Sequence, residues 1–206
     1  MKKPIFVEKI SVWQPSPENP QEMPKLSYVD AMFKRRLSQI SRMTIEVVHD
    51  VLESAPNAPL VFASVRGELS RQLKINKGLV EDFEVSPAQF SISVFNTPPA
   101  VATIALGMKA GYTAVYPASG KFRDALIAAS VPILSGHSEK VIFAYADEYI
   151  PDEYAEIFEK NAGVSDRNAF SFACVLSDKG KALNELKGFD FSSPKAFAEK
   201  FKKLLL

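Results

Sequence analysis

Residues 86–107 read Ser86-Pro87-Ala88-Gln89-Phe90-Ser91-Ile92-Ser93-Val94-Phe95-Asn96-Thr97-Pro98-Pro99-Ala100-Val101-Ala102-Thr103-Ile104-Ala105-Leu106-Gly107. Small hydroxyls alternate with apolar side chains from Ser91 to Phe95, a pattern that predicts a strand. Asn96 stops it, and Thr97-Pro98-Pro99 opens an apolar helix. A buried strand turning into a buried helix sets the corner residue against the positive end of the helix. Enzymes use such corners to activate a thiolate or to hold an oxyanion. Here the corner residue is Asn96, an amide that is no nucleophile at neutral pH. Pro98 and Pro99 also remove two backbone donors from any oxyanion hole.

Upstream, Ile5 to Trp13 reads as a first strand. Pro15, Pro17, Pro20 and Pro24 make residues 14–24 a surface loop. Leu37, Ile40, Thr44, Val47, Val48 and Val51 recur at spacings of three and four, so Arg35 to Ser54 is predicted as an amphipathic helix ended by Pro56. Leu60 to Ser64 is a short apolar strand, Arg66-Gly67-Glu68 a turn, and Leu69 to Phe83 a helix with a break at Gly78. Ser86 restarts the chain as a cap or turn residue.

Downstream, the helix from Pro98 is expected to reach Ala110 and to close on Gly111 in a left-handed cap. Tyr112 to Tyr116 is a strand, and Phe122 to Leu134 a helix that Pro132 bends or shortens. Val141 to Ala146 is a strand ending on Asp147-Glu148. Asp152 to Lys160 is a short polar helix, and Ala169 to Leu176 the last strand, turned by Asp178-Lys179-Gly180. Ser193-Pro194 starts a final helix, Ser as cap and Pro at its first position. Its apolar stripe is Phe197, Phe201, Leu204 and Leu205. Strands alternating with helices argue for an α/β layered domain with a mostly parallel sheet. No repeat or linker divides residues 1–206, which are read as one domain.

With 206 residues, 47% apolar and 24% charged, the chain has the composition of a globular protein with a substantial core. A net charge of +1 implies no general attraction to nucleic acid or to an acidic membrane. Cys174 is the only cysteine, which excludes an internal disulfide and a multi-cysteine metal site. The two histidines, His49 and His137, offer little for a histidine-based metal or acid–base centre. Pro4 and Glu8 interrupt any signal-peptide core, and no apolar run approaches the roughly 20 residues of a membrane span. The expectation is a cytoplasmic protein. Phosphate-binding glycine loops, the Gly-x-Ser-x-Gly elbow and His-Glu-x-x-His are all absent, so no cofactor and no metal are expected. Arg35-Arg36 and Lys200-Phe201-Lys202-Lys203 read as solvated helix faces.

Ser86-Pro87-x-x-Phe90-Ser91-Ile92-Ser93-Val94-Phe95-Asn96 resembles the strand-to-helix corner of the β-ketoacyl synthase-like N-terminal domain of chain-length-factor-like proteins. Other pieces follow in order: Arg35-Arg36-Leu37-Ser38 with Arg42-Met43, Phe62-Ala63-Ser64-x-x-Gly67-Glu68, and Ala125-Leu126-Ile127-Ala128-Ala129 before the strand ending in Asp147-Glu148. The resemblance covers roughly Ile5 to Leu176. It implies a thiolase-like half-fold: a five-stranded mixed, mostly parallel sheet with helices on both faces. Family enzymes place a catalytic Cys at the corner and take two histidines from a second, C-terminal half. Here Asn96 stands at or next to the Cys position, and the expectation is that the second half is absent. Neither His49 nor His137 matches the family's histidines.

The resemblance therefore implies a non-catalytic partner or chain-length-factor-like subunit of a bacterial fatty-acid-like or aryl polyene pathway. Its expected partners are a ketoacyl synthase subunit or a second copy, and an acyl-carrier protein. Two alternatives stay open: a small acyltransferase or hydrolase acting on acyl thioesters, and an acyl- or carrier-protein-binding module. No catalytic residue is assigned. Asn96 is taken as a degenerate nucleophile position, with Ser93, Phe95, Asn96 and Thr97 as candidate pocket-lining residues. Each has a plainer reading. Asn before a helix is most often a cap, Ser93 is structural, and Phe95 belongs to the core. Cys174 reads as an inert buried thiol, Asp147-Glu148 as solvated loop charge, and Arg66 and Glu68 as a local salt bridge.

Overall fold

The computed structural model describes residues 4–117, 121–162, 166–186, 191 and 193–205. Five strands form one mixed sheet: β1 (Phe6–Trp13), β2 (Leu60–Ala63), β3 (Tyr112–Val115), β4 (Lys140–Asp147) and β5 (Phe170–Ser177), in the order β1-β5-β4-β2-β3. β2 pairs in parallel with β3 and β4, while β5 is antiparallel to both β4 and β1. Four strands thus point one way and β5 alone opposes them. The helices are α1 (Ala31–Lys34), α2 (Gln39–Leu52), α3 (Leu69–Lys77), α4 (Pro87–Phe90), α5 (Thr97–Ala105), α6 (Phe122–Leu134), α7 (Asp152–Ala162) and α8 (Pro194–Leu205).

Side chains alternate across a strand, and the two faces of this sheet carry separate cores. One face sets Phe62, Ile142, Ala144, Ala173 and Val175 against Met43, Val47 and Val51 of α2 and Val101 and Ala102 of α5. The other sets Phe143, Tyr145, Phe172 and Cys174 against Phe122, Leu126 and Ile133 of α6 and Phe197 and Phe201 of α8. Strands β4 and β5 are covered on both sides, which is why they read as mostly apolar stretches rather than alternating ones. Ser193 Oγ accepts from Ala196 N at 3.1 Å and so starts α8 as expected. Phe197 lies in an aromatic cluster with Phe122, Phe172 and Phe201, at centroid distances of 5.5, 5.1 and 4.9 Å. Phe197→Ala is expected to cost about 3–5 kcal/mol, seen as an earlier denaturation midpoint.

The boundaries follow the caps. α2 begins at Gln39 rather than Arg35, because Ser38 Oγ accepts from Ser41 N at 3.2 Å. Arg35-Arg36 therefore stands in the turn before α2, not on it. The short α1 was not expected, although Asp30 is its signal: the carboxylate accepts from Phe33 N at 2.9 Å. α3 runs into a π-helical turn at Gly78–Asp82, the break expected at Gly78. α5 stops at Ala105, five residues before its expected end. Gly107 adopts φ +64°, with Met108 N bonded to Thr103 O at 3.0 Å and Gly107 N to Ile104 O at 3.3 Å. That is a Schellman closure on the first available glycine. α6 keeps its full length, with Pro132 in its last turn.

The main departure concerns Ser91 to Phe95, which forms turns and not a strand. Ser91 Oγ donates to Ala88 O at 3.1 Å and Ser93 Oγ to Phe90 O at 2.8 Å. The backbone adds Ile92 N to Gln89 O at 3.3 Å and Ser93 N to Phe90 O at 3.1 Å. Serine hydroxyls and i→i−3 bonds thus satisfy the segment locally. Five alternating residues do not outweigh them.

Candidate functional site

The corner that organises the sheet's carboxyl end is the β2–α3 turn, residues 64–68, where it meets the end of β4. Asp147, the last residue of β4, accepts at Oδ1 from Ser64 Oγ at 2.7 Å and from the N–H groups of Val65 and Arg66, both at 3.0 Å. Tyr145 Oη donates to Oδ2. Ser64 Oγ in turn accepts from Gly67 N at 2.8 Å. Asp147 and Glu148 are buried, at 5% and 1% exposure, so the solvated-loop reading is overturned. The carboxyl ends of parallel strands are where α/β sheets build their sites, and the position of this acidic pair was the signal in the sequence.

Arg66 does not pair with Glu68. Its guanidinium donates to the carbonyls of Glu148 at 2.7 Å, Asn168 at 3.1 Å and Asp166 at 2.7 Å, tying the turn to the segment before β5. Glu68 accepts from Ser38 Oγ at 2.7 Å, Ser41 Oγ at 2.8 Å and Arg71 Nε at 3.2 Å, and so joins α2 to α3. Gly67 has φ +59°, and a Cβ there would meet the Phe95 ring at 3.2 Å. Gly67→Ala is expected to destabilise by about 1–3 kcal/mol, measured by chemical denaturation.

Glu148 accepts from Ser70 N, the second residue of α3, at 2.7 Å. Burial pushes its carboxyl up to about 8, the neighbouring Glu68 adds to the rise, and Ser70 and Arg71 oppose it. The group forms part of the wall of a cleft of about 800 Å³ between the turn before α2, α3, α4 and the residues that follow β4. A carboxyl that exchanges its proton near neutral pH, at the wall of a cleft, is the feature here best suited to acid–base work.

The sequence-level candidates lie elsewhere. The cleft takes Ser91 and Ile92 into its lining, but none of Ser93, Phe95, Asn96 or Thr97. Ser93 and Thr97 are buried in the turn and the first turn of α5, and Phe95 packs between Phe62 and Tyr116, each at 6.3 Å between centroids. Asn96 occupies the cap position of α5 without capping it. An N-cap side chain accepts from the second or third helical N–H, and here those residues are Pro98 and Pro99, which have none. The exposed amide donates instead to Tyr112 Oη at 3.1 Å, joining α5 to β3. With no strand before it, residue 96 is not a strand-to-helix corner. Among the described residues the parallel strands β2, β3 and β4 lead into α3, α6 and α7, and the β3–α6 connection is bounded by Tyr116-Pro117 and Lys121.

Cys174 is fully buried in β5 and its thiol is pushed up by that burial. Alkylating reagents are expected to leave it unmodified in the native protein and to label it fully in denaturant, read by intact mass. His49 stacks on Tyr28 at 3.8 Å and His137 is exposed after α6. Among the described residues no group of three His, Cys, Asp or Glu side chains is placed to hold a metal, and no helix is long and apolar enough to cross a membrane.

This three-layer sandwich, with one opposing strand and a loop-built carboxyl end, defines a thiolase-like unit of the ketosynthase kind. Residues 11–200 match the family described as beta-ketoacyl synthase, N-terminal domain, and the chain belongs to that family. No curated protein matches it. Among solved structures, a ketosynthase in complex with its chain length factor from Xenorhabdus doucetiae superposes with a TM-score of 0.73 at 21% identity, over 87% of this chain and 80% of that one. The ishigamide ketosynthase/chain length factor gives 0.62 at 12% identity, over 87% of this chain and 63% of that one. A type II polyketide acyl-carrier protein in complex with its ketosynthase gives 0.62 at 12%, over 86% and 64%. At these identities the likeness is one of fold, and the chain spans less than two thirds of the second and third neighbours.

Proposed function

We propose that this chain is a ketosynthase-like subunit that does no condensing chemistry itself and works by assembling with an active synthase or with a second copy. The observation that carries this reading is the sulfur. The single thiol is sealed inside β5, between the sheet and the α6–α8 layer, and is held protonated by its surroundings. Thiolate chemistry needs a lowered pKa and access to solvent or substrate, and Cys174 has neither.

Two surface features support assembly. Among the described residues β3 has no strand on its outer side, and an unpaired strand edge is a template for a partner. On α6, Ile127, Val131 and Leu134 recur at spacings of four and three and remain exposed at 39%, 53% and 43%. A stripe of that kind is an unfilled packing face. A chain-length-factor-like role in a fatty-acid-like or polyene pathway, with residues 1–206 acting as one domain, is the most specific form of the proposal.

Co-expression with a ketosynthase and an acyl-carrier protein from the same genome tests it. A stable complex with altered product chain length supports the proposal. A lone monomer that acquires an acyl adduct by intact mass would sink it and favour an acyltransferase or hydrolase.

A further inference from the structure

The cleft beside Glu148 carries a charge imbalance that its internal ion pairs do not remove. Five cationic side chains take part in its lining against the carboxylates of Glu148 and Glu153. Arg71 is held by Glu68 at 3.2 Å, and Lys77 by Glu153. Arg35, Arg36 and Lys74 form no ion pair among the described residues. Glu148 offsets little of their charge, since its carboxyl titrates at about 8 and is mostly protonated at neutral pH. Unneutralised cations along one cleft raise the local concentration of anions.

The same cleft has an apolar part. Met23, Leu73 and Ile92 contribute to its lining, and Met23 is 41% exposed. At about 800 Å³ the cleft falls within the range of small-molecule sites, roughly 300–1,000 Å³. Three unpaired cations with an aliphatic wall suit a ligand with a charged head and a hydrocarbon body.

We propose that this cleft binds a small amphiphilic anion, a phosphate or carboxylate head on Arg35, Arg36 and Lys74 and an aliphatic body along Met23, Leu73 and Ile92. The site is independent of the assembly proposed above, since it involves neither β3 nor the outer stripe of α6.

Calorimetry with the full chain tests it, using decyl phosphate and decanoate below their micelle-forming concentrations, decanol below its solubility limit, and inorganic phosphate. Saturable one-to-one binding of decyl phosphate or decanoate is expected, with decanol and inorganic phosphate at least tenfold weaker. A higher affinity for one of the two anions identifies the head group. The double variant Arg36→Ala/Lys74→Ala removes two exposed side chains and is expected to melt like the parent while binding at least tenfold more weakly. Equal affinity for decanol, or unchanged binding by the double variant, overturns the proposal. So does binding of poly-glutamate without binding of either amphiphile, which would mark a docking face for an acidic protein instead.

Discussion

Asp147→Ala is expected to lower the unfolding free energy by about 3–5 kcal/mol, since it strips a buried carboxylate from several donors at once. Ser64 Oγ and the N–H groups of Val65 and Arg66 all lose their acceptor at Oδ1, and Tyr145 Oη loses Oδ2. In a chain of this size the loss corresponds to a fall in melting temperature on the order of 10 °C. Asp147→Asn keeps one carbonyl oxygen for the turn and should cost about half as much. The local signature matters as much as the size. Backbone amides of residues 65–67 should exchange hydrogen faster in the alanine variant, while those of β5 stay protected. Uniform loss of protection with no extra exchange at the turn would mean that Asp147 does not hold it.

Glu148→Gln is expected to stabilise the protein at alkaline pH and to flatten its stability profile. Burial raises the Glu148 carboxyl from 4.5 to about 8. Between those values the native state keeps a proton that the unfolded chain has lost, so stability falls as pH rises. The favourable contribution is complete below about pH 4.5 and gone once pH has passed through about 8. A gap of that width sets an upper bound of roughly 5 kcal/mol, and relaxation with water entry reduces it to about 2–3 kcal/mol. Glutamine keeps the acceptor for Ser70 N without the charge. Denaturation curves at pH 5, 7 and 9 should diverge between parent and variant as pH rises. Parallel profiles would place the proton elsewhere, with Glu68 the nearest candidate.

Both carboxylates stand where the sequence suggested only solvated charge. The order of strands and helices was legible, because β4 and β5 are mostly apolar and α2 has a regular apolar face. The cap of α8 was legible in Ser193-Pro194. The strand at Ser91 to Phe95 was misread because five alternating residues also satisfy a serine-bonded turn. The capping of Asn96 was misread although its refutation lay two residues away, in prolines that donate nothing. The cleft beside Glu148 was not visible, since its lining comes from segments as far apart as Met23 and Glu153.

Local periodicity and the presence of a single cysteine, Cys174, are properties of the sequence alone, for they depend on residue type and spacing. They set the layered α/β class and leave Cys174 as the one thiol, while the family was legible in the order of the quoted motifs and is shown by the match over residues 11–200. Only tertiary structure decided that β5 opposes its neighbours, that α8 seals the second face of the sheet, and that Asp147 and Glu148 are buried. Those outcomes depend on which distant groups meet at the end of β4. A carboxylate's environment is made by partners some 80 positions away in the chain, at Ser64 and Ser70.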